Sequence, residues 1–490
     1  MCARVAAAAA VGLLALSACT DAGSPEAAGG PDQRASSDSP SSPASSSGAP
    51  RAGSTGTTGT PATTSPTTPN STPEYVEPLV LAFDVHRRPL RLTERQARLL
   101  ASGDVSSWRV LGQSGRQIVV RRGPSAVDVA TSRPDVLAVV PASSVRPTVQ
   151  VATVDGIDPM RQPARYPITT PAGQNRPEIT TVVVAGDIML GRRVASEAPG
   201  GAGATLLPLS DRLAAADMTI GNLESTLSDD GFPRQGDDSF AADPSVLRAL
   251  DRAGFDLLSM ANNHTGDYGD RALRQTLRRI EASPIHHVGA GQDAAGAWRP
   301  IVLESDGIRF GFVAFNAIGE TPRATRARPG AAEIRMQPRT GPLNRADLDR
   351  MRRTVSRLAE RVDVVMVLPH WGDQYTNIPH PDQRRVGAAL VRSGADVVVG
   401  GHPHWVQGVQ VERGGLIAHS LGNFVFDMDF SVPTREGALM ELVFWGDVLR
   451  QARFTPYVIG ADFAPRLVRG PRADRILDRI WETSDAPFRR

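Results

Sequence analysis

Short apolar runs, mostly β-branched, recur along the chain, and each stops at a polar or ionisable side chain. Thr180 to Ala185 runs towards Asp187, Met218-Thr219-Ile220 towards Asn222, Leu257 to Ala261 into Asn262, Val362 to Leu368 towards His370, and Val397-Val398-Val399 towards His402. Runs of this length and composition predict buried strands. Ile308 to Phe315 alternates and predicts another. Between them apolar residues fall at helical spacing. Asp243-Pro244 opens a helix carrying Val246, Leu247 and Leu250, with proline in its first turn. Tyr268-Gly269 precedes one with Leu273, Leu277 and Ile280 on one face. Asn344 is a candidate cap for a helix to Arg361, and another runs from Gln383 to Ser393. Strands alternating with helices over 178–435 predict an α/β domain. Residues 436–490, strand-rich and then a short Arg-rich helix, are expected to complete it.

Upstream, 74–160 predicts a small α/β domain. Leu92 to Leu100 has helical spacing with Thr93 at the N-cap, and Ala101-Ser102-Gly103 ends it. Ile118-Val119-Val120 and Val136 to Pro141 read as strands. Gly103-Asp104-Val105-Ser106-Ser107-Trp108, with Leu111-Gly112, is similar to a segment of periplasmic phosphate-binding-type proteins, and so is Val154-Asp155-Gly156-Ile157-Asp158-Pro159. A truncated domain of that type and a small packing domain without ligand both remain open. Residues 161–177 are proline-rich and read as a linker.

The first 73 residues carry a different pattern. Val5 to Leu16 is apolar behind Arg4, too short to span a bilayer, and reads as the core of a signal peptide over 1–18. Leu16-Ser17-Ala18-Cys19 resembles a bacterial lipobox. That resemblance implies cleavage before Cys19, lipidation of Cys19, and anchoring at the extracytoplasmic face of the cell membrane. Cys2 would leave with the signal, so no thiol remains for a disulfide or a nucleophile. Residues 19–73 are dominated by Ser, Thr, Pro, Gly and Ala and predict a disordered tether, holding the next domain about 40 Å from its anchor.

Charge excludes two function classes. The formal net charge is +2, and all 54 residues of the Lys+Arg total are arginine. Lysine Schiff-base chemistry is therefore absent. No basic stripe interleaved with aromatics marks a nucleic-acid partner.

The polar residues at the strand ends carry the chemistry. Asp187 offers an anionic oxygen, Glu224 or Asn222 an oxygen able to bridge two ions, Asn263 an amide oxygen, and His370, His402 and His404 nitrogens. This mixture suits Mn²⁺, Fe²⁺ or Zn²⁺, and strand ends are where α/β sheets gather ligands. Two ions about 3.5–4 Å apart need several such groups and a bridging carboxylate. His264, beside Asn263, is placed to protonate a leaving oxygen, with Asp267 either orienting it or capping the next helix. Arg192 either contacts an anionic substrate or caps a helix. Singly, an Asp after a strand is usually a turn or cap, and His-Trp-Gly is usually packing. Gly401-His402-Pro403-His404 after a buried strand has little structural purpose.

In this order the clusters Gly186-Asp187-Ile188-Met189-Leu190-Gly191-Arg192, Asn222-Leu223-Glu224, Ala261-Asn262-Asn263-His264, His370-Trp371-Gly372, Gly401-His402-Pro403-His404-Trp405-Val406-Gln407 and Ser420-Leu421-Gly422-Asn423-Phe424-Val425-Phe426-Asp427 resemble the CapA family of bacterial capsule-synthesis (poly-γ-glutamate type) proteins, within the calcineurin-like metallophosphoesterase superfamily. The resemblance implies a four-layer α/β/β/α metallophosphoesterase-like sandwich. It also implies one or two divalent ions, Asp187 and His404 binding one and Asn263, His370 and His402 the other, with His264 as the acid. An anionic surface polymer or a phosphate ester is the implied substrate, and a polymerase or export complex the implied partner. Two positions depart from the superfamily. Met189 stands where a histidine is usual, and Asn222 where a bridging aspartate is usual. A hydrolase and a non-catalytic polymer-binding component both fit.

Overall fold

In the computed structural model, residues 75–115, 117–170, 176–228 and 230–490 are described. The expected signal peptide, the Cys19 lipobox and the tether lie outside the described residues.

Period-two alternation builds the main sheets. Along the strand Ile179–Ile188, Val182 and Val184 point into one apolar cluster, and Val183 and Ala185 into another on the opposite face. Along Val364–His370, Met366 and Leu368 share the first cluster, while Val365 and Val367 enter a third. A strand buried on both faces has to be apolar at every position, which is why these runs are continuous. The first sheet runs His286–Val288, Leu257–Ser259, Met218–Leu223, Ile179–Ile188, Glu436–Trp445, Val448–Ile459, Pro465–Leu467. Its first four strands are parallel, and Glu436–Trp445 joins antiparallel. The second runs Ile301–Ser305, Ile308–Asn316, Val364–His370, Val397–Val399, Gly415–Ala418, Val409–Glu412, with the middle four parallel.

Helices close both outer faces. Val246 and Leu250 with Leu273, Leu277 and Ile280 cover the first sheet. Met351, Val355, Leu358, Val386 and Leu390 cover the second. The layers are therefore helix, sheet, sheet, helix, the four-layer α/β/β/α order expected. The parallel strands of both sheets end at one edge. Asp187 pairs in register with Asn222 there, and His370 bridges to Gly401.

Residues 75–170 build a smaller sheet from Val119–Arg122, Val136–Pro141, Glu77–Asp84 and Val149–Val151. The helix Glu94–Ser102 starts in a capping box at Thr93 and stops at Gly103, whose φ is 93°. This sheet shares its core with the main domain through Val443 and Trp445. The Trp445 indole donates to the Met160 carbonyl at 2.8 Å, and Arg453 reaches Asp158 at 3.1 Å. Tyr166 and Ile168, within the stretch read as a linker, are buried in the same core, and Thr169–Thr170 pairs with Glu77 and Pro78. The packed unit thus continues to Thr170. Among the described residues no helix is long and apolar enough to cross a membrane.

Candidate metal centre

The edge where the strands end gathers Asp187, Glu224, His370, His402 and His404, all essentially buried. Their potential ligand atoms form two groups, each within 4.8 Å: Glu224, His370 and His402; and Asp187, Glu224 and His404. Glu224 belongs to both. One carboxylate shared between two ligand sets is what a pair of divalent ions requires.

The hydrogen bonds leave the right atoms free. Asp187 Oδ2 accepts from the His402 backbone N–H at 3.0 Å, and Oδ1 from Asn222 Nδ2 at 2.8 Å. His404 Nδ1 lies 2.8 Å from Asn423 Oδ1. That bond assigns the proton to Nδ1 and leaves Nε2 with its lone pair. His404 Nε2, both ring nitrogens of His402 and Glu224 Oε1 are buried without a hydrogen-bond partner among the described residues. Orphaned buried polar atoms are costly. A neutral imidazole offers one lone-pair nitrogen, so one nitrogen each from His402 and His404 and the Glu224 oxygen are left as donors that fit divalent cations. Asn263 Oδ1 and His370 are not orphaned: His370 Nε2 lies 2.8 Å from Asn263 Oδ1 and its Nδ1 3.3 Å from Asn222 Nδ2, so these candidate ligands hold one another.

Burial sets the charges. It pushes Asp187 up to about 7, helped by the neighbouring Glu224 charge, and pushes Glu224 up to about 7. It holds His370 down to about 4, His404 down to about 3 and His402 well below the usual range. The imidazoles are therefore neutral at neutral pH, which is their ligating form. His370 Nε2 and Glu224 Oε1, 3.6 Å apart, are on this ground a potential ligand pair and not an ion pair.

The backbone is held under strain here. His402 and His404 have φ of 94° and 58°, a left-handed conformation unusual for bulky residues and commonest at functional sites. Between the strand and His402, Gly401 leaves no room for a side chain, since a Cβ would collide with Asp187 Oδ1.

Asn222 meets the cage through its nitrogen, not through the oxygen expected to bridge. The cause is Asn262. Its Oδ1 accepts from the backbone N–H groups of His264 and Thr265, both at 3.0 Å. Its Nδ2 donates to the Leu223 carbonyl at 2.8 Å and to Asn222 Oδ1 at 3.0 Å. The backbone thus fixes one amide and that amide fixes the other. Met189, at the position where the resemblance implies a histidine, faces the helix-side core, its sulfur 3.1 Å from the Gly191 N–H.

His264 stands beside the cage. Its Nδ1 lies 2.8 Å from Asp267 Oδ2 and its Nε2 3.9 Å from Glu224 Oε1. Its ring stacks on Phe240 at 3.6 Å between centroids. Asp267 also accepts from the Phe240 backbone N–H at 2.6 Å and from Gln235 at 2.5 Å. Arg192 packs over the other face of that ring, 4.2 Å from its centroid. Its guanidinium forks onto the buried Asp427 carboxylate, so its charge is already matched within the protein. Phe240 was not marked by the sequence pattern, and Asp427 only as the last residue of the cluster that starts at Ser420. Tyr375 was also unmarked. With φ of 61°, its N–H donates to the Pro403 carbonyl at 2.9 Å and its ring stacks 5.9 Å from His404. Only its closeness to His370-Trp371-Gly372 could have signalled it.

Among known proteins, residues 181–428 match the family model described as bacterial capsule synthesis protein PGA_cap. The chain is 30% identical over 287 residues to the capsule biosynthesis protein CapA of Bacillus anthracis, covering 56% of this chain and 67% of that one. It is 29% identical over 269 residues to the PGA biosynthesis protein CapA of Bacillus subtilis (strain 168), covering 54% and 67%. Of solved structures, 5'-nucleotidase from Candida albicans SC5314 aligns with a TM-score of 0.33 and 13% identity, over 59% of this chain and 52% of that one.

Proposed function

The chain belongs to the bacterial capsule synthesis protein family PGA_cap, and from that premise we propose that its buried cage is a two-cation hydrolase site serving the synthesis of a capsule-type surface polymer. The observation that supports this best is the single Glu224 carboxylate common to both ligand groups, with unpartnered His402 and His404 nitrogens around it. Asp187, Glu224 and His404 would hold one Mn, Fe or Zn ion, and Glu224, His370 and His402, with Asn263, the other. Such ions polarise a phosphoryl or carbonyl oxygen and acidify water.

The chain's own groups supply the rest. Asp267 takes the His264 Nδ1 proton as a hydrogen bond and so leaves Nε2 as the atom that exchanges a proton with a leaving oxygen. Phe240 shields one face of that imidazole from water. Asn222 gives an amide proton to Asp187 Oδ1 and holds the carboxylate in place. The protein acts, in this proposal, outside the cell membrane on a Cys19 lipid anchor, with an anionic polymer or a phosphate ester as substrate and a polymerase or export complex as partner. A non-catalytic role has its own support, because Asn222 turns a donor to the cage and Met189 supplies no ligand. Polymer yield in producing cells carrying His402→Ala tests the choice. Loss of polymer with normal protein level supports the hydrolase, and full yield supports the polymer-binding role.

A further inference from the structure

Away from the cage, a groove of about 280 Å³ lies where the smaller sheet meets the main domain. Trp445 and Ile308 give it apolar walls, and Tyr75, Glu77, Glu178 and Arg450 its polar ones. Glu77 is 5% exposed, and one of its carboxylate oxygens accepts from the Ser143 N–H at 2.5 Å. Arg450 lines the same space and feels the Glu77 charge. Yet no ion pair within 4.0 Å joins them, and Arg450 Nε and the Tyr75 hydroxyl are buried without a hydrogen-bond partner among the described residues. Burial holds the Arg450 guanidinium below its usual range, as expected where no carboxylate sits against a cation.

Glu178 is exposed to solvent, so the ionic groups withdrawn from water in the groove are one acid, Glu77, and one base, Arg450, which do not touch and leave room for a group between them. A plain anion drawn to Arg450 would be repelled by Glu77, and a plain cation drawn to Glu77 would be repelled by Arg450. A small zwitterion satisfies both. We propose that this groove binds a free α-amino acid, its carboxylate on Arg450 and the Tyr75 hydroxyl, its ammonium on Glu77, and its side chain along Trp445. The volume suits a ligand of that size, at the lower end of small-molecule pockets. The site lies apart from the metal cage and does not depend on the hydrolase reading.

Calorimetric titration of the full chain with L-alanine, propionate and ethylamine tests this. The second probe lacks the ammonium and the third lacks the carboxylate. L-alanine should bind saturably, and each half-ligand about tenfold more weakly or worse, the loss of one charge-assisted contact. Arg450→Gln should weaken L-alanine by a similar factor, and Tyr75→Phe by less, while His402→Ala should leave it unchanged. No saturable L-alanine binding, equal binding of propionate, or an indifferent Arg450→Gln protein with a native circular-dichroism spectrum would each overturn the proposal.

Discussion

Replacing Glu224 by glutamine should make the metal-free protein more stable and the metal-loaded protein less so. Glu224 is fully buried, and burial raises its carboxyl from an ordinary 4.5 to about 7. In the unfolded chain the group ionises near its ordinary value. With the folded pKa the higher of the two, its stabilising contribution is complete below about 4.5 and is lost as pH rises through 7. At pH 8 the metal-free folded state carries a buried charge costing about 3 kcal/mol. Glutamine is nearly isosteric and uncharged, and Oε1 has no hydrogen bond to lose. Metal-free Glu224→Gln should therefore exceed wild type by up to about 3 kcal/mol at pH 8 and match it near pH 4. Added Mn²⁺ at a hundredfold excess over its Kd stabilises the wild type by roughly 3 kcal/mol per site. A neutral amide gives the variant much less, so the ranking reverses. Urea denaturation with chelator and with Mn²⁺ at both pH values measures this. A variant less stable than wild type in chelator at pH 8, or one that gains as much from Mn²⁺, would refute the reasoning.

Three further expectations follow from the same geometry. His264→Gln should lower hydrolysis of any ester the wild type turns over by about a hundredfold or more and leave metal content intact; unchanged turnover removes His264 as the acid. Gly401→Ala forces a Cβ against Asp187 Oδ1, costing roughly 1–3 kcal/mol of strain and displacing a ligand, so elemental analysis should find fewer ions on a folded chain. The buried imidazoles of His370, His402, His404 and His419 are all pushed below the ordinary 6.5, so below that pH the unfolded chain binds protons the native one refuses. The buried carboxyls of Asp187, Glu224, Asp256, Glu333 and Asp396 are pushed up and act in the opposite sense, so the imidazole contribution is read as a difference: metal-free His419→Gln should gain less in melting temperature than wild type between pH 4 and 6.5, and an identical pH profile would contradict this.

Much of the site was legible because ligand type and position in the strand are both written locally. An apolar run ending at Asp187, His370 or His402 predicts a strand and a ligand in one reading, and parallel pairing brings those ends to one edge. What the sequence hid depends on contacts between distant segments. Asn222 carries the right atoms for a ligand, and only the Asn262 amide, forty residues away and locked by the His264 and Thr265 backbone N–H groups, turns its oxygen aside. Arg192 reads as a free cation until Asp427 closes on it from 235 residues away. The shared core at Trp445 joins segments 285 residues apart, so a strand pattern at Glu436 could not say that the smaller sheet rests on it.

The central claim is that Glu224 is shared by two ions, and metal content per chain tests it most directly. Elemental analysis of the purified protein, after exposure to Mn²⁺, Fe²⁺ and Zn²⁺, should find about two ions per chain, falling in both Glu224→Gln and His402→Ala. A protein that retains no divalent ion under those conditions, or two ions undiminished by Glu224→Gln, would contradict the account.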